Sequence, residues 1–302
     1  MRNAFISTLL NYDGDDLFLL TGDLGFSVLE KFQNKWPEQF INVGVAEQNM
    51  TGIAAGLAME GYKVFTYSIA NFNTLRCLEQ LRNDICYNNL DVTIVSVGGG
   101  FQYGSAGYSH HAIQDIAIMG SLPNITLLLP SDPYETEWCV NYALRNKEPK
   151  YLRIGKNGES RCYNSADEIG GINKLQSIIN SNIAIIATGG MLSAAVDVCN
   201  SLKTDGIKCD LYSIPIINPS YSDQLKNKLN SYEYIFILEE HIKDIGLAAI
   251  INSIVRMNLI KVISFGLDKN KCYDVGNQNY LRNLHKIDVN SIILQVKSIV
   301  TR

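Results

Sequence analysis

The chain has 302 residues, a formal net charge of −4 and a sequence pI near 5.6, with 46% hydrophobic and 19% charged residues. This composition is typical of a soluble globular protein, and the length suggests two domains of roughly 150 residues each. A mildly acidic chain without a run of lysines and arginines argues against binding to nucleic acid or to an anionic membrane.

The first segment, MRNAFISTLLNYDGDD, predicts an amphipathic helix, because its apolar stretch is too short for a signal peptide. No segment has the roughly 20 apolar residues of a membrane span. The seven cysteines are scattered and form no C-x-x-C motif. Since Cys77, Cys86, Cys139 and Cys199 lie in apolar-periodic segments, the sequence predicts buried free thiols in a reducing cytoplasm. Four histidines, two of them adjacent, offer little to a zinc site.

Short apolar runs alternate with helical patterns through the first half of the chain. Near-continuous apolar strands separated by helices predict a mainly parallel sheet that is buried on both faces. The predicted strands are residues 17–23, 62–68, 92–100, 125–132 and 151–155, and the predicted helices are 46–59, 74–87, 112–119 and 133–146.

A polar segment over 156–168 separates this pattern from a second alternation of strands and helices. We place the first domain at 1–160, the linker at 161–175 and a smaller domain at 176–302. The sequence therefore predicts an α/β fold with two doubly wound sheets, whose ligands collect at the carboxyl ends of the strands. The strands predicted in the second half are 183–190, 208–215, 234–241 and 261–267, and its predicted helices are 191–203 and 246–257.

Glu47 is an ionisable residue in an otherwise apolar stretch, INVGVAEQNM (41–50). On a helix it shares one stripe with Met50, Ala54 and Leu57, at steps of three and four. One interpretation is a partly exposed acid that the helix dipole favours. The other is a carboxyl group held in an apolar wall, where it could hold or share a proton near neutral pH.

The segment YGSAGYSHHAIQD (103–115) joins a glycine-rich loop to His110 and His111, where a helix is expected to begin. Glycines allow the backbone to approach a ligand closely. Two successive histidines point in different directions, so at most one would normally face a cleft. Asp115 lies four residues after His111 and could orient its ring.

A third segment, 67–85, places Tyr67 and Phe72 between the end of a strand and the start of a helix. These aromatic side chains either pack that corner or stack on a flat heteroaromatic ligand. Two further motifs are assigned to structure. Residues 132–135 have the N-cap, proline and glutamate of a helix start, and the glycine turn in 187–196 indicates tight strand-to-helix packing.

Together these segments resemble the C-terminal half of transketolases, and related forms occur in 1-deoxyxylulose-5-phosphate synthases and in beta subunits of 2-oxo acid dehydrogenases. The resemblance covers nearly the whole chain. It is carried by VGVAEQNMTGIAAGLA (43–58), the turn through RNDI (82–85), GSAGYSHHA (104–112), LPNITLLLPSDPYETE (122–137), YLRIG (151–155), ATGG (187–190) and ILEEH (237–241).

The resemblance implies a pyrimidine-binding domain followed by a transketolase C-terminal-like domain, with thiamine diphosphate as the cofactor. The position of Glu47 implies a hydrogen bond to N1′ of the aminopyrimidine. This bond favours the imino tautomer, whose nitrogen removes the C2 proton of the thiazolium ring. By the same match Phe72 stacks on the pyrimidine, and Tyr67 is a weaker candidate for cofactor binding.

On the substrate side, the resemblance makes His110 a catalytic donor to the developing oxyanion, with His111 as a second substrate-binding candidate. Arg153 matches a phosphate-binding arginine, for which bidentate pairing gives a reason, although an arginine after a strand can also be structural. Asp23 in TGDLG is a weaker substrate-side match. Ala106 stands where transketolases usually carry an aspartate that reads the donor hydroxyls, so a standard sugar-phosphate donor is not implied.

Members of this family bind the diphosphate through Mg²⁺ with a separate domain that carries a GDG motif and a downstream asparagine. This chain has no GDG motif, and NYDGDD (11–16) lacks both its order and its context. The resemblance therefore implies an N-terminal partner subunit that holds the diphosphate and Mg²⁺. It also implies an active site between the two chains and a heterotetramer of two copies of each.

The expected activity is transfer of a two-carbon ketol unit between sugar-type substrates. An alternative is the beta subunit of a 2-oxo acid dehydrogenase, or a carboligase similar to 1-deoxyxylulose-5-phosphate synthase, with a keto acid donor. An alternative of another class is a non-catalytic scaffold or regulatory subunit that has kept the fold.

Overall fold

Two sheets organise the chain in the computed structural model, which describes residues 1–156, 158–163, 165, 169–255 and 260–301. Within these residues the strands are β1 Leu17–Thr21, β2 Phe40–Asn42, β3 Lys63–Ile69, β4 Val92–Val97, β5 Thr126–Leu128, β6 Lys150–Ile154, β7 Asn173–Gln176, β8 Ile183–Ala187, β9 Asp210–Ser213, β10 Ile216–Ile217, β11 Tyr234–Ile242 and β12 Lys261–Leu267.

Helices cover both sheets and connect their parallel strands. The α-helices are α1 Arg2–Leu10, α2 Glu30–Lys35, α3 Glu47–Met59, α4 Ala70–Asn73, α5 Leu78–Gln80, α6 Asp115–Gly120, α7 Pro133–Arg145, α8 Leu192–Thr204, α9 Ser222–Leu229, α10 Leu247–Val255, α11 Gln278–Leu284 and α12 Val289–Val300.

The first sheet has seven strands in the order β10-β5-β6-β4-β3-β1-β2, and all pairs except β10 with β5 are parallel. Its central strands β4 and β6 are buried at every residue. Parallel strands need this cover on both faces. Their carboxyl ends meet at one edge of the sheet, where the chain turns into α3, α4 and the glycine-rich loop.

The second sheet has five strands in the order β12-β11-β8-β9-β7, and only β7 runs antiparallel to its neighbour in this sheet. The predicted α/β fold with two mainly parallel sheets is confirmed. The predicted strands of both halves are present, with ends that differ by a few residues.

Several elements were absent from the sequence prediction. Strands β2 and β10 have three and two residues, and such short strands carry too little periodicity for recognition. Strand β7 begins at Asn173, inside the predicted linker. Helices α2, α9, α11 and α12 were also missed. The helix predicted over 112–119 begins only at Asp115.

The helix predicted over 74–87 is divided into three pieces. A 3-10 turn over Leu75–Cys77 precedes α5, and a π-helix follows over Leu81–Cys86. Local π-helical and 3-10 geometry inside a longer helix often occurs at functional sites. Here the 3-10 turn carries Arg76, which forms an ion pair with Glu47.

Helix α1 confirms the helix that was predicted at the beginning of the chain. Phe5, Ile6 and Leu9 are buried, and the helix packs on α7. The seven cysteines, all within the described residues, are free thiols, and six of them are buried as predicted. None of the described helices combines the length and the apolar character that crossing a bilayer requires.

Side chains of β6 and β11 join the two halves. The guanidinium group of Arg153 donates to the backbone oxygen of Glu240 at 3.2 Å. The Glu240 carboxylate accepts from the backbone N–H of Phe101 at 3.2 Å, from Gln278 at 2.9 Å and from Arg282. A residue from the second sheet thus holds the loop that follows β4 in the first.

Candidate functional site

Glu47 is the first residue of α3 and lies at the carboxyl edge of the first sheet, where its side chain is 1% exposed. Its position in the first helical turn suits the positive end of the helix dipole. Gly22, which follows β1, lies against this carboxylate, since a Cβ there would be 3.3 Å from Glu47 Cγ. Of the two interpretations of Glu47, a partly exposed acid is therefore excluded, because its side chain is enclosed.

Arg76 supplies the counter-charge of this buried carboxylate. Its Nη1 lies 2.5 Å from Glu47 Oε2, whereas Glu47 Oε1 accepts a long contact of 3.4 Å from the Ser68 hydroxyl. The side chain of Arg76 is 42% exposed, so the ion pair reaches the surface on one side. One carboxylate oxygen is thus held firmly and the other only weakly.

Phe72 and His110 lie beside this ion pair. The Arg76 guanidinium carbon is 4.4 Å from the centre of the Phe72 ring, in cation–π contact. The His110 ring meets Phe72 edge-on at 5.1 Å, and the Ser109 hydroxyl lies 3.0 Å from His110 Nδ1. We call Glu47, Arg76, Phe72 and His110 the Glu47 cluster. The structure brings together three residues that the sequence singled out, from three separate segments.

His111 does not join this cluster. It is fully buried, its Nε2 lies 3.0 Å from the backbone oxygen of Gly104, and its ring meets Phe101 edge-on at 5.1 Å. Since a carbonyl oxygen only accepts, Nε2 carries the proton. The structure thus places His111 under the glycine-rich loop, and its substrate-binding role stays a prediction.

The expected pairing of His111 with Asp115 was wrong. Asp115 instead accepts from the Tyr151 hydroxyl at 2.5 Å and from Arg153 Nε at 2.6 Å. Because α6 begins at Asp115, the spacing of four residues does not lie on one helix, and the carboxylate turns toward β6.

The guanidinium group of Arg153 forms its hydrogen bonds inside the protein. Besides Asp115, its Nη2 donates to the backbone oxygens of Ala112 at 2.9 Å and Glu240 at 3.2 Å. Burial opposes the charged form, but the Asp115 carboxylate outweighs it and raises the pKa of Arg153. These contacts fit the alternative considered from the sequence, in which Arg153 has a structural role. Its phosphate-binding role stays a prediction.

Tyr67 faces the other side of the sheet. Successive side chains of a strand alternate between faces, so Ser68 points to Glu47 and Tyr67 points away. Tyr67 stacks on Phe5 of α1 at 5.9 Å, and burial raises the pKa of its hydroxyl to about 12. The structure does not bring Tyr67 to the Glu47 cluster, and its cofactor-binding role stays a prediction.

Asp23 lies on the same sheet edge as Glu47 and is exposed. Its backbone has a positive φ of 58°, and it exchanges hydrogen bonds with Asn42 at 3.0 and 3.1 Å. Gly22, its neighbour in the chain, touches Glu47. Asp23 therefore follows directly on the glycine that lies against the Glu47 carboxylate, and it remains open to an approaching molecule.

Ala106 is exposed and ends the 3-10 turn Gly104–Ala106, just before His110. A loop from the second half packs on this turn, because Gly276 N donates to Gly104 O at 3.4 Å and Tyr273 meets Tyr108 at 5.4 Å. The second half thus shapes the approach to His110, although it contributes no side chain to the Glu47 cluster.

Arg76 was missed at the level of sequence. An arginine four residues after an aromatic ring could have indicated it, but that rule holds for a regular helix. The described residues contain no group of three or more histidine, cysteine, aspartate or glutamate side chains that could hold a metal ion.

The cluster has the chemistry that a flat, nitrogen-containing heteroaromatic ring requires. Arg76 lies over one face of the Phe72 ring, so a ligand ring would stack on the other face. Among the residues that the structure describes, Glu47 Oε1 has only its long contact to Ser68, so it can accept a hydrogen bond from a protonated ring nitrogen. The pyrimidine end of thiamine diphosphate therefore fits the residues that are present.

Two family models match the chain. The model described as "Transketolase, pyrimidine binding domain" matches residues 3–158, and "Transketolase, C-terminal domain" matches residues 172–292. The first alone accounts for half of the chain.

Curated relatives match over nearly the full length. The chain is 30% identical over 298 residues to one of the subunits of the apulose-4-phosphate transketolase of Actinobacillus succinogenes, across 97% of this chain and 94% of the relative. It is 31% identical to "Putative transketolase C-terminal section" of Methanocaldococcus jannaschii, across 89% and 86%. A solved structure described as "Split gene transketolase, inactive beta4 tetramer" superposes with a TM-score of 0.87 at 27% identity, across 99% and 97%.

Proposed function

Because this chain belongs to the transketolase family, we propose that it is the C-terminal subunit of a split, thiamine diphosphate-dependent transketolase. In this role it transfers a two-carbon ketol unit between sugar-type substrates. The similarity to one subunit of a transketolase over almost the whole of both chains supports a subunit that works with an N-terminal partner. The observation that carries the proposal is the burial of Glu47 beside Phe72 at the carboxyl edge of the sheet.

Glu47 is the residue that acts on the cofactor. Bound thiamine diphosphate supplies a nucleophilic carbon to the reaction. Glu47 Oε1 accepts the hydrogen bond from the pyrimidine nitrogen, and Phe72 stacks on the same ring. Arg76 holds Oε2 at 2.5 Å and so fixes the plane of the carboxylate. Because the Glu47 side chain is itself buried, this fixed acceptor makes the proton contact stronger than it would be in solvent.

His110 is the catalytic donor to the substrate oxygen. The Ser109 hydroxyl lies 3.0 Å from Nδ1, and if this hydroxyl donates, the ring presents Nε2–H on its other side. Asp23, exposed on the same edge, is available to substrate hydroxyls. His111 and Arg153 act behind this surface, where they hold the glycine-rich loop and the start of α6.

The partner subunit supplies the diphosphate and Mg²⁺ site, and two copies of each chain form a heterotetramer. The absence of a GDG motif from the sequence supports this division. Within this proposal the domains are residues 1–160 and 176–302, with a linker at 161–175, and the separate family matches over 3–158 and 172–292 support a division of the chain into two domains. We place the enzyme in the cytoplasm, since free buried thiols suit a reducing compartment.

The first experiment replaces Glu47 by Gln in the complex with the partner subunit, thiamine diphosphate and Mg²⁺. We expect kcat to fall by about 100-fold or more, because the pyrimidine loses its charged acceptor. Glu79→Gln, an exposed change on α5, is the matched control and should retain activity. Full activity of Glu47→Gln would contradict the proposal and favour the non-catalytic alternative.

A second experiment separates the two enzymatic alternatives. The assembled complex is given hydroxypyruvate, ketose phosphates and pyruvate in separate assays. Apulose 4-phosphate is included because it appears in the name of a relative. We expect two-carbon transfer from a ketose or hydroxypyruvate. Consumption of pyruvate alone would instead identify a keto acid carboligase or dehydrogenase subunit.

A further inference from the structure

Asn71 connects the turn after β3 to the loop that carries His110. It lies in α4 next to Phe72, and its side chain is 8% exposed. Its Nδ2 donates to the backbone oxygen of Ser109 at 3.1 Å and to that of His111 at 3.0 Å. One amide group therefore holds the chain immediately before and immediately after His110.

The identity of the donor follows from its partners. Both partners are carbonyl oxygens, which only accept, so the side chain must present its NH₂ group and uses both of its hydrogens. The bond to the His111 oxygen is buried and that to the Ser109 oxygen is partly buried, so their loss would leave at least the His111 carbonyl without this donor, which is costly. A leucine or an alanine at this position could not make the same clamp.

The segment that Asn71 holds has weak support of its own. Tyr108–His110 is a single 3-10 turn, and both Tyr108 and Ser109 are exposed. Short 3-10 turns have poorer hydrogen-bond geometry than α-helices. The orientation of the His110 ring toward Phe72 therefore depends on how the backbone on its two sides is fixed.

We propose that Asn71 is a positioning residue for His110. It holds the carbonyl groups of Ser109 and His111, the residues on either side of the histidine, and so sets the place of the imidazole beside Phe72. The inference rests on the proposed function for the catalytic role of His110, whereas the clamp itself is a property of this chain alone.

The kinetic test uses the assembled complex with thiamine diphosphate and Mg²⁺. Asn71→Ala should lower kcat by about 10- to 100-fold, since a displacement of about 1 Å can cost that much. KM for the donor should change less, and the affinity for thiamine diphosphate should stay the same. In a His110→Ala background, Asn71→Ala should change kcat by less than about twofold, because it acts through a side chain that is gone. An equal loss of kcat in both backgrounds would overturn the inference.

Asn73→Ala is the matched control. Asn73 is another buried asparagine of α4, but its Nδ2 donates to the backbone oxygen of Val95 at 3.0 Å and does not touch the His110 loop. It should lower the melting temperature while kcat of the folded complex is retained. A loss of kcat in Asn73→Ala as large as that in Asn71→Ala would also count against a specific role for Asn71.

A spectroscopic test needs neither partner nor cofactor. The chain has four histidines, so their ring signals can be followed by NMR in the isolated subunit. Asn71→Ala should shift or broaden the His110 signals and leave those of His241, in the second sheet, unchanged. Unchanged His110 signals would disprove the clamp. A shift without any two-carbon transfer by the complex would keep the clamp and refute the proposed function.

Discussion

At the scale of single residues, the Glu47–Arg76 pair sets the character of the site. Removal of a carboxylate from water costs several kcal/mol unless a counter-charge and hydrogen bonds compensate. Glu47 is enclosed, and Arg76 is partly exposed, so the compensation comes from a side chain that solvent can still reach. The Glu47 carboxylate therefore has a counter-charge although it lies in an apolar wall.

Arg76→Ala should therefore destabilise the isolated subunit. The free energy of unfolding should fall by about 1–3 kcal/mol, because Glu47 loses its partner while it stays buried. The double variant Glu47→Gln/Arg76→Ala should recover part of this loss, since no charge remains to be compensated. Chemical denaturation measures both values.

The control for this cycle is Arg82→Ala, which removes an exposed arginine of the adjacent π-helix. Its effect should stay within about 0.5 kcal/mol. If the double variant is no more stable than Arg76→Ala alone, the two side chains are not coupled and the ion pair does not explain the burial of Glu47.

At the scale of elements, Asp210 fastens the edge of the second sheet. Its carboxylate at the start of β9 pairs with Lys174 of β7 at 2.7 Å, and it accepts from the backbone N–H of Ile178 at 2.7 Å and from the Tyr232 hydroxyl at 2.5 Å. Burial alone would raise the pKa of Asp210, but the hydrogen bonds from Lys174 and Tyr232 outweigh it and lower the pKa. The antiparallel edge strand β7 is thus tied to the sheet through one carboxylate.

The stability of the chain should depend on this carboxylate at acid pH. A carboxyl group with a lowered pKa in the folded state contributes stability above its unfolded pKa, and this contribution is lost as the pH falls through the folded pKa. Asp210→Asn should lower the melting temperature at neutral pH and flatten its decline below about pH 4. Melting curves across the acid range measure this, and an equally steep decline in the variant would contradict the assignment.

At the scale of the whole molecule, the two halves are joined by buried polar contacts. Glu240 of β11 accepts from Phe101 in the loop after β4, and Arg153 of β6 reaches the Glu240 backbone oxygen. Gly99 allows this approach, since a Cβ there would lie 2.5 Å from Arg153 Cζ. The loop that leads to His110 is therefore supported from both sheets.

Glu240→Ala should uncouple the two halves. It leaves the backbone N–H of Phe101 and the Arg282 guanidinium without their acceptor, and losses of about 3–5 kcal/mol are typical for a broken buried ion pair. Calorimetry of the wild type should show one cooperative transition, and the variant should show two. A single transition at an unchanged temperature would show that other contacts join the halves.

The sequence predicted the architecture well, because long apolar strands and amphipathic helices carry strong periodicity. It predicted the burial of Glu47 as one of two possibilities and brought Phe72 and His110 into the same hypothesis. The sequence-based prediction failed where the hydrogen-bond partner of a side chain lies far along the chain. The choice of Asp115 between His111 and Arg153 is decided by β6, which lies more than thirty residues further along the chain.

Arg76 and Asn71 were not predicted from the sequence, for a related reason. Their roles follow from a broken helix and from a loop almost forty residues away, and neither is visible as a local pattern. Tyr67 is the weaker cofactor-binding candidate that the resemblance gives, and strand alternation directs its side chain to the face of the sheet opposite Glu47.

Strand β10 carries a constraint on how this protein can be divided or recombined. Ile216 and Ile217 belong to the second half of the chain, yet they complete the border of the first sheet by pairing with Leu128 and Leu127. A fragment that stopped before residue 216 would leave the N–H and C=O groups of β5 open to pairing with another molecule. Chimaeras between relatives should therefore take residues 214–217 from the same parent as the first sheet. A crossover at the linker alone would separate β10 from β5, the strand with which it pairs.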